Sequence, residues 1–357
     1  MPLLPLLIIF TLTLTLSGCE NNSAEQMLER YNHRLASSLE LPSTLDLAQP
    51  LPLPPFPKRR DRLLQPVEIR QGLYEVLDLR HCQLLQLIAE RNSSLGKVMP
   101  PSKQLVYELK FYSGISQCRD QLSTNQTDQE LRQKIEQIWQ IKKNNLPIEL
   151  WNALYNNEAM ERNFSLSEAS LSPAKDSGFA AAFEALKHFQ QLALLADTKN
   201  DWQLPLFIDE LESSYQALYN NRFGSRWLRS ISILTTTLDN SAKLIEDRLA
   251  ERPLCYLERT NPKAKIVQNV FYKFYAAQVQ PYMAMIDSQG RQWLSIHNEI
   301  LTALGDTPTE AMQIYQKRIL VMNQPGTVSL WSEYIHARDR HTRAWQKLLS
   351  QCGLMPS

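Results

Sequence analysis

Apolar side chains recur at steps of three and four along most of the chain, the spacing that lines one face of an α-helix. The first stripe is Leu28, Tyr31, Leu35 and Leu39, preceded by Ser23 and Gln26 at the spacing of a helix-starting capping box. The pattern predicts a helix from Leu73 to Leu95 through Leu73, Leu77, Leu84 and Ile88, with Gly96 as a left-handed stop. A second begins after Ser102 and carries Tyr107, Phe111, Ile115 and Cys118. Thr127 and Glu130 start a third, bearing Leu131, Ile135, Ile138 and Trp139, and Pro147 is expected to open the next at its first position. Further stripes are Phe179, Phe183, Leu186 and Phe189; then Phe207, Leu211 and Leu218; then Ile231, Leu234, Leu238, Ile245 and Leu249. Asn261 and Pro262 mark a start ahead of Ile266, Val270 and Phe274, Pro281 predicts a kink, and Thr307, Pro308 and Glu310 begin another helix. The final stripe is Trp331, Ile335, Arg338, Thr342, Trp345, Leu349 and Cys352, with Gly353 where a stop belongs. Strand-like alternation is scarce. The expected fold is therefore all-α, a multi-helix bundle or irregular helical array.

The helical grammar fails from Pro42 to Pro57, most visibly in Leu51-Pro52-Leu53-Pro54-Pro55-Phe56-Pro57, where proline favours extended polyproline geometry. Such a strap either lies along the protein's own surface or offers itself to an aromatic-lined groove elsewhere. Lys58, Arg59, Arg60 and Arg62 close it, and their expected role is to solvate it rather than to touch lipid phosphates. The pentapeptide Ala-Leu-Tyr-Asn-Asn occurs at 153–157 and at 217–221, but its flanks do not align, and it reads as a coincidence rather than a repeat.

The segment Leu3 to Leu16 is apolar and uncharged, yet shorter than the roughly 20 residues a helical span needs. It has the length of a signal-peptide core and ends in Leu16-Ser17-Gly18-Cys19, which resembles the lipobox of bacterial lipoproteins. Met1 to Leu7 depart from the usual leader in having no Lys or Arg. The resemblance implies cleavage before Cys19, acylation of its thiol and new N-terminus, and, with Glu20 rather than Asp following, delivery to the periplasmic face of the outer membrane. The expected organisation is a signal peptide over 1–18, an anchor and short helix over 19–41, a Pro-rich strap over 42–66 and a helical domain over 67–357.

A formal net charge of +1 argues against nucleic-acid binding, and only 10 Gly with no phosphate-loop pattern argues against a familiar nucleotide site. No cofactor is implied. Besides Cys19, four thiols remain, Cys82, Cys118, Cys255 and Cys352. An oxidising compartment allows three pairings, with four buried reduced thiols as the alternative. Cys82 with Cys118 is favoured because both sit at similar distances from the turn between Leu95 and Ser102, and Cys255 with Cys352 would staple the C-terminus.

Several segments together carry a resemblance over nearly the whole chain. They are Leu87-Ile88-Ala89-Glu90-Arg91-Asn92-Ser93-Ser94-Leu95-Gly96-Lys97 after Cys82, Tyr107-Glu108-Leu109, Arg252-Pro253-Leu254-Cys255, Val279-Gln280-Pro281-Tyr282 and Ala344-Trp345-Gln346-Lys347-Leu348-Leu349-Ser350-Gln351-Cys352-Gly353-Leu354. The chain resembles the domain-of-unknown-function 3080 family of proteobacterial lipoproteins. That resemblance implies an envelope location and a helical fold, and supplies no activity.

Candidate chemistry is sparse. Asp78 with His81 and Glu333 with His336 have the carboxylate-x-x-His spacing that serves dinuclear metal sites in bundles, but one pair uses Asp and neither lies in an evident bundle repeat, so no metal is expected and local hydrogen bonding on a surface helix is the plain alternative. Arg338, Arg340, His341 and Arg343 form a possible anion-binding patch, with a solvated charged face as the plain alternative. Two function classes stay open. The leading one is a noncatalytic lipoprotein, held to the membrane by its acyl chains, that binds another envelope protein. The other is a helical hydrolase acting on envelope glycan or peptide.

Overall fold

The computed structural model describes residues 23–69, 78–123, 129–197, 202–256, 258–305, 309–322 and 324–355. The leader with Cys19, Leu73 and Leu77, Thr127, and Thr307 with Pro308 lie outside the described residues. Among the described residues the chain consists of helices, turns and extended linkers, with no strand. In order the helices are α1 Ala24–Leu39, α2 Arg59–Arg62, α3 Leu85–Asn92, α4 Pro101–Ser123, α5 Gln129–Tyr155, α6 Glu158–Asn163, α7 Phe179–Leu194 and α8 Leu211–Asn221. They continue with α9 Phe223–Glu251, α10 Pro262–Val270, α11 Gln280–Leu304, α12 Glu310–Tyr315 and α13 Leu330–Ser350. The array is irregular, organised around the long α9, which packs along α13 and α1.

The first helix is a full member of the core. Ser23 Oγ accepts the Gln26 N–H at 3.2 Å, and Met27, Leu28, Tyr31, Leu35 and Leu39 are buried. The strap then runs extended along the same body, with Leu47 buried and Leu51, Leu53, Phe56 and Leu64 packed against the core. Its backbone is satisfied by side chains. Leu51 N–H donates to Thr236 Oγ1 (2.9 Å), and Ser232 Oγ donates to Leu51 O (2.7 Å). Farther on, Asn152 and Asn145 on α5 each grip one residue by both backbone groups, Leu64 at 3.0 and 2.8 Å and Val67 at 2.9 and 2.8 Å. These amides replace the ladder that an extended segment lacks. Arg62, expected to be a solvating charge, is 1% exposed. Its guanidinium lies 4.3 Å from the Phe56 ring centroid and pairs with Glu161, while Trp151 Nε1–H donates to Arg62 O at 2.7 Å. Burial is tolerated because the cation has a carboxylate, a carbonyl and a π-face.

The structure links Cys82 to Cys118 and Cys255 to Cys352. The first bridge lies in a small second core made of Leu79, Leu84, Ile88, Phe111, Ile115, Ile135 and Ile138 with the two cysteines. The second ties the end of α13 to the linker after α9.

Several local details depart from expectation. The predicted helix ending at Leu95 is interrupted: a tight 3-10 turn over Asp78–Cys82 is followed by left-handed Gln83 (φ 56°) before α3 begins. Gly96 is not a left-handed stop; a Cβ there would lie 2.2 Å from Glu90 O, so close backbone approach selects glycine. Pro147 opens no helix but sits inside continuous α5, whose two halves are each clamped by burial on either side of it. At Pro281 the missing N–H is accommodated by a widened π-helical stretch, Phe271–Val279, in which Gln280 N–H reaches back to Tyr275 O. On α10, ahead of that stretch, Ile266 is 55% exposed while Val267 and Val270 are buried. On α13 the buried stripe passes through His341 rather than Thr342. The helix after residue 308 is capped by Thr309, whose Oγ1 accepts the Met312 N–H at 3.3 Å.

The repeated Ala-Leu-Tyr-Asn-Asn has a shared physical role: in both copies the last Asn stands at or just past a helix end and returns its Nδ2 to the Ala carbonyl, Asn157 to Ala153 at 2.7 Å and Asn221 to Ala217 at 2.9 Å. It is a helix-ending device used twice.

Candidate binding groove

A groove of about 650 Å³ opens between α9 and α13. The polar face of α9 supplies Thr235, Asp239, Asn240 and Lys243, and that of α13 supplies Ser332, Glu333 and His336. Leu51 of the strap, Ala337 and Val328 provide its apolar lining, and Val328 is 68% exposed. Both helices bury their opposite faces, so the groove is the polar seam left where two amphipathic helices pack together.

The groove's charges are tied to partners. Asp239 Oδ1 accepts from Arg340 Nη1 at 2.5 Å, Glu333 from Arg318 at 2.6 Å, and Lys243 donates to Asp247 at 2.5 Å. Asn240 donates to Thr44 Oγ1 and accepts from Asn32 Nδ2. His336 is exposed and has no hydrogen-bond partner among the described residues. A carboxylate already held by a guanidinium is occupied, which suits orientation of a bound surface better than proton transfer.

The arginine-histidine patch does not assemble into one anion site. Arg340 is clasped by Glu246 and Asp239, and this pairing, Glu246 foremost, holds its guanidinium above the ordinary arginine range. Arg338 is bound to Asp339 at 2.8 Å and faces Asp287 at 3.4 Å. Arg343 is exposed on another side of the helix, and His341 is fully buried. Positions 338, 340, 341 and 343 fall within two turns of one helix and point to different sides of it, and the buried stripe claims His341. There Trp345 Nε1–H donates to Tyr31 Oη (2.9 Å) and Tyr31 Oη is hydrogen-bonded to His341 Nε2 (2.7 Å), joining the first helix to the last. Desolvation pushes the His341 imidazole down to about 3, and it does the same to His297, which meets Tyr155 Oη at 3.0 Å. Both are neutral core residues.

Asp78 and His81 sit in the 3-10 turn beside the first disulfide, remote in sequence and fold from Glu333 and His336. Among the described residues no group of three or more His, Cys, Asp or Glu side chains is placed to hold a metal ion. Of the groove residues, sequence reasoning singled out Glu333 and His336. Asp239 and Lys243 stand at i and i+4 on α9, a spacing common on solvated helices, so nothing local marked them. A further unanticipated group is Glu149, 8% exposed at the junction of α4 and α5, whose carboxyl is pushed up to about 7 by desolvation and by neighbouring Glu108.

The described residues thus form an irregular helical array with an extended strap along it and a groove between α9 and α13. Residues 28–356 match the family model described as Protein of unknown function (DUF3080), and the chain belongs to that family. No curated protein and no solved structure matches it.

Proposed function

We propose that the protein is a periplasmic lipoprotein of the outer membrane that uses the α9–α13 groove to bind another envelope component without chemical turnover. The observation that carries the binding reading is the commitment of Asp239, Glu333 and Lys243 to ion pairs around an apolar floor. Catalysis requires a positioned nucleophile, base or metal, whereas recognition requires a shaped and oriented surface. The Leu16–Cys19 box supports acylation, and Glu20 supports outer-membrane sorting. No helix among the described residues is long and apolar enough to cross a membrane.

The test is a photo-crosslinking amino acid placed at Val328 or His336 in intact cells, read by mass spectrometry. One envelope protein captured from both positions, and not from Leu206, supports the reading. Turnover of an envelope glycan or peptide that disappears in His336→Ala with the helical circular dichroism spectrum intact overturns it.

A further inference from the structure

We infer that the face formed by the start of α1, the proline ridge 50–57, Leu166 and Lys58 to Arg60 is the surface that rests on a membrane leaflet bearing anionic headgroups. This rests on the acylation of Cys19 proposed above, and it adds which side of the molecule meets the lipid. Only Glu20, Asn21 and Asn22 separate Cys19 from the Ser23 cap of α1. Four peptide steps span at most about 14 Å even when fully extended. The acyl chains therefore cannot act as a long leash, and the surface around Ala24 is held against the headgroups.

That surface can be followed residue by residue. Glu25 accepts from Ser170 Oγ at 2.8 Å and faces Arg229 Nε at 3.6 Å. Arg229 lines a shallow recess with Pro50, Pro52, Leu53 and Leu166. Leu166, 41% exposed, also lines the next recess, with Pro55, Pro57, Lys58 and Arg59. The path from the anchor to the basic cluster is thus continuous.

Its chemistry fits a headgroup interface. Proline has no N–H to desolvate, so a ridge of Pro50, Pro52, Pro54, Pro55 and Pro57 can enter an interfacial layer at little polar cost. The carboxylates alongside are occupied, Glu161 by Arg62, Glu168 by Arg222 and Asp61 by Arg60 at 3.5 Å, while Lys58 and Arg59 stay exposed without a carboxylate partner among the described residues. An apolar ridge flanked by uncommitted cations is the pattern that anionic lipid attracts.

The experiment uses the full-length acylated protein in vesicles of phosphatidylethanolamine with phosphatidylglycerol. A nitroxide is attached to Leu166→Cys or, on the disulfide-bonded hairpin, to Leu95→Cys, each the single free thiol when the two bridges are intact. The expected result is a several-fold lower accessibility of the Leu166 site than of the Leu95 site to a water-soluble relaxation agent. That protection should weaken in pure phosphatidylcholine or when Lys58, Arg59 and Arg60 are all changed to Gln. Intact mass and vesicle flotation report the anchor independently. An unacylated Cys19 overturns both readings, whereas an acylated, floating protein with equal accessibility at the two sites overturns the orientation alone. Protection at Leu166 that ignores both lipid charge and the triple change overturns the anionic-headgroup part.

Discussion

The two hydrophobic cores are built differently although they share a pair of helices, α4 and α5. The larger core is aromatic and interlocked: Trp227 and Trp293 lie 5.2 Å apart by ring centroid, Phe164 joins Trp293 at 5.3 Å, and Phe56 of the strap stacks on Phe164 at 4.6 Å. Glycines make this packing possible, since a Cβ on Gly290 would fall 2.4 Å from the Trp227 ring. The smaller core has aliphatic side chains, Phe111 and a disulfide. Both use α4 and α5, with Leu105 and Leu109 in one and Ile115 and Cys118 in the other. The Lys142–Glu108 ion pair, 2.6 Å long with both side chains largely buried, lies at the junction. A core of this size gains too little from burial to hold itself closed, so it relies on its covalent staple, whereas the larger one holds through packing.

The largest effects should come from the bridges, and their character should differ. Removing Cys255–Cys352, which spans 97 residues, should cost about 4.7 kcal/mol by the chain-entropy relation and lower the main urea transition. Removing Cys82–Cys118, which spans 36 residues, should cost about 3.8 kcal/mol but act locally. Hydrogen exchange should then show the hairpin opening ahead of α9. Equal loss of protection throughout the chain would mean that the two cores are a single cooperative unit.

Next in size are two glycine substitutions. Gly290→Ala should destabilise by about 1–3 kcal/mol, because the fully buried Trp227 ring has nowhere to go. Gly114→Ala meets only the flexible Cδ2 end of Leu84, at 2.6 Å, in the smaller core. Its cost should be offset by helix propensity worth up to about 1 kcal/mol, leaving stability nearly unchanged. Thermal or urea unfolding of the two variants would sharpen the contrast, and a larger loss from Gly114→Ala would reverse it.

A further effect, spread over two pH units, is a slope with pH. His341 and His297, with folded values near 3 against an ordinary 6.5, stay neutral in the fold while the unfolded chain takes up two protons as pH falls below 6.5. Glu149, near 7 in the fold against an ordinary 4.5, works in the opposite sense, because the folded chain holds its proton first. Two protons favouring the unfolded state less one favouring the folded state leaves one. Stability should therefore fall by about 1.4 kcal/mol for each pH unit lost between 6.5 and 4.5. Glu149→Gln removes the opposing contribution and should steepen the fall toward two protons' worth. An unchanged slope in that variant would place Glu149 outside the balance.

The sequence alone determined the elements with strong local signals. The stripe of α1, the Ser23 cap, the Asn261–Pro262 start, the Gly353 stop and the absence of helix between Pro42 and Pro57 are all legible in a few consecutive residues, because capping, proline stereochemistry and apolar spacing act over one or two turns. What needed the tertiary structure was every decision settled by a distant partner. Pro147 stays in mid-helix because packing on both halves of α5 outweighs one lost hydrogen bond. His341 is core rather than surface because Tyr31, far away along the chain, supplies its hydrogen bond. The same holds for the groove: Asp239 and Lys243 become neighbours of Glu333 and His336 only when α9 lies against α13, and no spacing along the chain encodes that meeting.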